Sequence, residues 1–174
     1  MAFDFYTMKK TTLLMWMIVE ASMLLCCGAV ADKKVEKLEV QATNDLPNMT
    51  ISFLDGSQVS AKKLEGNTVI VLFFPDCDHC QREAVQIQKQ LAGFKNYTLY
   101  FLTSATKQEV EKFAVDYKLK DYKNVRFGLV TNQDVLTNYG AVATPSLYLY
   151  SNEHKLIQAF NGEIEIEVVL KYIK

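Results

Sequence analysis

The chain has 174 residues, 49% hydrophobic and 22% charged, with a formal net charge of -1. That balance suits one globular domain with a full core and leaves no room for a collagenous or low-complexity architecture. With 19 basic residues against 20 acidic ones and no basic face in the sequence, a nucleic-acid partner is not expected.

The N-terminus differs from the rest. Lys9 and Lys10 precede a run from Thr11 to Ala31 that is apolar apart from Glu20, Ser22 and two threonines, and it closes on Ala29-Val30-Ala31 before Asp32. A basic start, an apolar middle and an Ala-x-Ala end describe a secretory signal peptide. Glu20 fits poorly, because a carboxylate at membrane depth is costly. Two other readings of residues 1–31 stand beside it. One is an uncleaved membrane anchor; the other is a lipoprotein signal using Cys26 or Cys27, although Leu25 is not the small residue expected before Cys26. All three export the remainder out of the cytosol, soluble or membrane-tethered. Disulfides persist there. Residues 32–45 are polar and read as a tether, and residues 46–174 as the folded domain.

Within the domain, Met49 to Phe53 alternates and meets the turn signal Asp55-Gly56. Val69 to Phe74 is continuously apolar and β-rich, which suits a strand buried on both faces, with Phe73 and Phe74 in the core. Ala84, Val85, Ile87 and Leu91 fall at helical spacing between Asp78 and Leu91, with Gly93 as the stop. Tyr97 to Thr103 predicts a second core strand, Glu109 to Tyr117 a helix and Val125 to Val130 a short strand. Gln133 to Tyr139 predicts a short helix ended by Gly140. Ser146 to Tyr150 and Leu156 to Phe160 form a hairpin, in which Tyr148 and Tyr150 read as sheet packing. Glu163 to Ile173 predicts a last helix. Strands alternating with helices imply an α/β sandwich, a mixed central sheet with helices on both faces.

The chemistry sits in Phe73-Phe74-Pro75-Asp76-Cys77-Asp78-His79-Cys80, which holds the only cysteines of the domain. Such a pair exchanges disulfides, closes a structural disulfide or contributes half of a metal site. Pro75 breaks the strand and the helix begins near Cys77. A thiol there meets unsatisfied backbone N–H groups and the positive end of the helix dipole, both of which favour the thiolate nucleophile. Cys80 lies on the same helical face and can resolve a mixed disulfide formed at Cys77. His79, if protonated, would stabilise the thiolate. Asp76 and Asp78 oppose it, or serve the helix start as caps. As a structural disulfide the pair would close too short a loop to gain much entropy. Zinc would need Cys77, Cys80, His154 and His79 at spacings that do not suit it. Nothing calls for a metal or a cofactor.

Two segments together resemble the thioredoxin superfamily: the apolar strand leading into Cys77-Asp-His-Cys80, and Tyr139-Gly-Ala-Val-Ala-Thr144-Pro145-Ser146 followed by a strand and a hairpin. The resemblance covers roughly Leu46 to Lys174. It implies a thioredoxin-like fold with a cis-proline at Pro145 packed beside the cysteines. The long segment between Cys80 and Pro145 and the hairpin over Met49 to Leu64 look like the exported TlpA-like branch. In that branch a Glu stands three residues after the second Cys, as Glu83 does here, and would move a proton to or from Cys80. Two departures stand out. Asp76 occupies the place of the usual Trp, and Val71 that of the buried acid of plain thioredoxin. The resemblance implies a thiol–disulfide oxidoreductase of the periplasm or cell envelope of a bacterium. It would act on protein thiols or disulfides with an upstream redox partner, through Cys77, Cys80, Glu83 and Pro145, tuned by Asp76, Asp78, His79 and Thr144. Two alternatives are a thioredoxin-fold binding module with a structural disulfide, and a thiol peroxidase. The second lacks its Pro-x-x-x-Thr-x-x-Cys motif here.

Overall fold

The computed structural model describes residues 44–173. The candidate signal segment at 1–31 and nearly all of the tether lie outside them. Among the described residues seven strands form one sheet: β1 (Thr50–Phe53), β2 (Gln58–Ser60), β3 (Asn67–Leu72), β4 (Tyr97–Thr103), β5 (Val125–Leu129), β6 (Ser146–Tyr150) and β7 (Leu156–Asn161). Their order across the sheet is β2-β1-β5-β4-β3-β6-β7. The centre, β3, β4 and β5, is parallel, and every other pairing is antiparallel. The helices are α1 (Asp78–Lys89), α2 (Lys107–Asp116), α3 (Asn132–Tyr139) and α4 (Ile166–Leu170).

The pleat divides the core in two. Side chains that alternate along a strand serve opposite faces. So Val69 and Val71 of β3, Leu99 and Phe101 of β4, and Leu147 and Leu149 of β6 join Cys80, Ala84 and Ile87 of α1, Val110 and Phe113 of α2, and Ile166 and Val169 of α4. Their neighbours Ile70, Leu72, Tyr100, Leu102, Tyr148 and Tyr150 face the other way. They meet Leu46, Met49, Ile51 and Leu64 of the N-terminal segment, with Val135 and Tyr139 of α3 packed alongside. This is why β3 reads as an unbroken apolar run: Val69 to Leu72 are each no more than 2% exposed. The mixed sheet with helices on both faces is as the sequence indicates, and Tyr148 and Tyr150 are buried in it.

Four details differ from the sequence reading, each for a physical reason. Helix α1 ends at Lys89 with Gln90 as its C-cap, and Gly93 lies inside a following 3-10 turn, Leu91–Phe94. A Cβ on Gly93 would stand 2.7 Å from Leu170 Cδ2, so the glycine serves a close approach to α4 rather than a helix stop. By contrast Gly140, at φ 75°, does end α3. Helix α2 begins two residues earlier than Glu109, because Thr106 and Glu109 form a reciprocal capping box. The last helix is only Ile166–Leu170. Residues 162–165 precede it as a loop, because their polar groups are engaged by α1. Phe74 is 38% exposed, whereas Phe73 is 2% exposed and packs against Phe101, Phe113 and Phe127. Strand β3 stops at Leu72, and the next two residues leave the pleat on opposite sides.

Candidate active site

The chain leaves β3 at the centre of the sheet and turns through Phe74-Pro75-Asp76 into α1. The turn is held by the Cys77 N–H donating to the Phe74 carbonyl at 3.2 Å and by Gln81 Nε2 donating to the Pro75 carbonyl at 2.9 Å. Cys77 is the N-cap of α1, with extended backbone (φ -87°, ψ 115°). Neither Asp76 nor Asp78 caps the helix: both are exposed, no side chain makes the capping hydrogen bond, and Asp78 is simply the acid in the first turn. That still favours the helix through its dipole.

The two thiols are free and differently housed: Cys77 is half-buried and Cys80 is 3% exposed. Burial works against the Cys77 thiolate. The Cys80 thiol, the Cys80 backbone N–H, the Thr144 side chain and the His79 backbone N–H outweigh it, so its pKa lies below the ordinary thiol value. Burial and the Cys77 sulfur push Cys80 up to about 12. The helix start therefore holds one thiol ready to ionise and one that keeps its proton.

Above Cys77 stands the loop before β6. The Thr144–Pro145 peptide is cis, Pro145 is buried, and Cys77 Sγ donates to the Thr144 carbonyl at 3.6 Å. Thr144 also borders an apolar hollow of about 180 Å³, lined among others by Phe74, Val135, Leu136 and Val142. Leu136 is 55% exposed at its rim.

One turn along α1 from Cys80 lies a buried carboxyl group. Glu83 is 1% exposed, and Ile164 N–H donates to its Oε2 at 3.2 Å. Its Oε1 is buried without a hydrogen-bond partner among the described residues. Burial raises its pKa to about 8, with the Ile164 N–H opposing and the negative charge of Glu163 adding to the rise. At neutral pH the carboxyl group is thus mostly protonated.

Two residues that sequence reasoning missed complete this side. Arg82 grips Glu163 with both ends of its fork, Nε to Oε1 at 2.8 Å and Nη2 to Oε2 at 2.6 Å. His79 Nδ1 lies 2.6 Å from the same Oε2. Bonds from Arg82 first, then His79, hold the Glu163 carboxylate down to about pKa 2. The ring of His79 is thus engaged by Glu163. Arg82 could have been noticed one turn from His79 on the same helix, but Glu163 lies 81 residues from Arg82 and carries no local signal. His154 sits in the turn between β6 and β7, with its Nδ1 3.2 Å from Asn44, at the far end of the hairpin from Pro145. Among the described residues no cluster of His, Cys, Asp and Glu could hold a metal ion. No helix there is long and apolar enough to cross a membrane.

With this geometry in view, comparisons with known proteins agree. The profile of the AhpC/TSA family matches residues 42–159. The thiol-disulfide oxidoreductase ResA of Bacillus thuringiensis subsp. konkukian is 25% identical over 177 residues, covering 96% of this chain and 98% of that protein. Among solved structures, a secreted disulfide oxidoreductase of Mycobacterium tuberculosis, homologous to DsbE of E. coli, superposes with a TM-score of 0.61 at 16% identity, over 72% of this chain and 94% of that one. StoA from Bacillus subtilis superposes with a TM-score of 0.58 at 16% identity, over 75% of this chain and 99% of that one. At such identities the structures attest the fold alone. The strand, the cysteine turn, the cis-proline loop and the matched profile together establish that the chain belongs to the AhpC/TSA family and has a thioredoxin-like fold.

Proposed function

We propose that this protein is a thiol–disulfide oxidoreductase that exchanges disulfides with protein thiols through Cys77 and Cys80. The observation that carries the reading is the division between the two sulfurs. Cys77 is half-buried at the helix start with its thiolate favoured, and Cys80 is buried with its proton held. A nucleophile must ionise and meet its partner, whereas a resolving thiol must wait.

In the reducing direction the Cys77 thiolate attacks one sulfur of a substrate disulfide. The substrate S–S bond breaks, its other sulfur leaves as a thiolate that takes up a proton, and a mixed disulfide joins Cys77 to the substrate. Cys80 then gives up its proton and attacks Cys77 Sγ. The mixed disulfide breaks, and the second substrate sulfur leaves as a thiol. One disulfide has become a dithiol, and the Cys77–Cys80 dithiol a disulfide. The oxidising direction is the reverse. Glu83, three residues along the same helical face, is the group we assign to move the Cys80 proton, in its carboxylate form when it accepts. The Thr144 carbonyl and Pro145 shape the space in which Cys77 meets its partner, with Asp76, Asp78 and His79 at the rim. By the same reading residues 1–31 export the domain, residues 32–45 tether it, and an upstream redox partner resets the pair.

The test is reduction of insulin by the purified protein in the presence of a dithiol, and oxidation of a dithiol peptide in its absence. Wild type catalyses at least one of the two, and Cys77→Ser neither. Equal activity in that variant overturns the reading. The reduction potential of the pair then sets the direction. A value well below about -200 mV fits a reductant, and one above about -150 mV an oxidant.

A further inference from the structure

The loop from Gly162 to Ile166 is stitched to the site at four of its five residues. The Gly162 N–H donates to the Pro145 carbonyl at 2.9 Å. The Glu163 carboxylate is gripped by Arg82 and His79. Ile164 N–H donates to Glu83 Oε2 at 3.2 Å, and Ile166 N–H donates to Gln86 Oε1 at 3.1 Å. The loop therefore crosses α1 over Arg82, Glu83 and Gln86 while its start is fixed to the cis-proline loop.

Within this strap, Glu83 is the member with least support. Its Oε1 is buried without a partner among the described residues, so the bond from Ile164 N–H is what orients the carboxyl group. The neighbouring residue, Glu163, is the strap's strongest anchor, because a two-pronged Arg–carboxylate pair fixes geometry as well as distance. The pair is partly exposed, with side-chain exposures of 54% for Arg82 and 24% for Glu163. An ion pair so placed adds little to global stability, and what it supplies is position.

We propose that Glu163 is a positioning residue for thiol exchange: clamped by Arg82 and His79, it fixes the strap so that Ile164 N–H meets Glu83 and holds that carboxyl group in place behind Cys80. This rests on the oxidoreductase reading above, and deepens it. Glu163 touches neither sulfur and acts only through Glu83.

The experiment is a double-mutant cycle on the full chain, with insulin reduction or dithiol-peptide oxidation as the readout and the urea unfolding midpoint measured beside it. Glu163→Ala should lower kcat/KM about 10-fold, with an unfolding midpoint close to that of wild type. Glu163→Gln keeps an acceptor for Arg82 and should recover the rate to within about threefold. In a Glu83→Ala background, Glu163→Ala should add almost no further loss, since the group it positions is gone. Full activity of Glu163→Ala overturns the proposal, and so does a loss that persists in the Glu83→Ala background. Should Glu163→Ala fail to fold, Arg82→Ala releases the same anchor from the exposed side and is read by the same two criteria. An inactive wild type would instead defeat the oxidoreductase reading itself.

Discussion

The two flanks of the α1 helix start are built from opposite materials. On the Cys80 flank, Glu83, Arg82, Glu163 and the Ile164 N–H form a polar, hydrogen-bonded strap around a buried carboxyl group. On the Cys77 flank, Phe74, Val135, Leu136 and Val142 surround an apolar hollow that shares Thr144 with the cysteine. The difference teaches how one short motif is divided between tasks. The polar flank holds a buried carboxyl group one helical turn from Cys80, and the apolar flank leaves Cys77 half-buried beside an open hollow.

The comparison breaks most decisively at the sulfurs. Cys77→Ser should lower exchange by about a thousandfold or more. Cys80→Ser should still attack once and then accumulate a mixed disulfide with the substrate, visible by mass spectrometry. If Cys80→Ser attacked no faster than Cys77→Ser, the assignment of roles would be wrong.

Next in size is the polar flank. Glu83→Gln should slow turnover about 100-fold, measured under single-turnover conditions. It should also change how stability depends on pH. The folded state holds the Glu83 proton up to about pH 8, whereas the unfolded chain releases it near the ordinary value of 4.5. Stability from this group is complete below pH 4.5 and is lost as pH rises through 8, on the order of 5 kcal/mol in all. Urea unfolding at pH 5 and pH 9 should show the loss in wild type and a much flatter profile in Glu83→Gln.

Adjacent phenylalanines sharpen the contrast further. Phe73→Ala should cost about 3–5 kcal/mol, because it leaves a cavity among three aromatic rings. Phe74→Ala removes a side chain 38% exposed and should cost about 1 kcal/mol or less. Its effect belongs to the apolar flank, as a raised KM for a protein disulfide. A Phe74→Ala loss as large as that of Phe73→Ala would mean that the hollow is part of the core. The smallest effect is reserved for His79→Ala. The ring is turned to Glu163, so the Cys77 thiolate should titrate almost where it does in wild type, followed by absorbance at 240 nm. A large displacement would return the imidazole to the Cys77 side of the comparison.

Much of the architecture was legible because it rests on short-range rules. The β3 run, the α1 periodicity, Thr144-Pro145 and the closing hairpin each carry a local signature, and their order along the chain implies the sheet. The fine boundaries were not. Phe73 and Phe74 look alike in sequence, and only the end of β3 at Leu72 sends one inward and the other out. Gly93 looks like a helix stop until Leu170 is seen against it. Glu163 looks like the first residue of a helix, because the partners that hold it, Arg82 and His79, lie some eighty residues away. Contacts of that separation leave no periodicity to read.

The opening hairpin has a consequence for how the domain keeps to itself. Strand β5 would otherwise be an edge of five residues beside the parallel centre, with a row of free backbone groups inviting a second chain. Strand β1 covers the end of that row, at Gly128 and Leu129, and β2 closes this side of the sheet after only three residues, with Lys62 and Lys63 beyond Ala61. An edge so short, with two lysines in the turn just beyond it, offers a poor template for strand addition. Trimming the chain back past Leu64 should therefore uncover the end of β5 and increase self-association, read by size-exclusion chromatography.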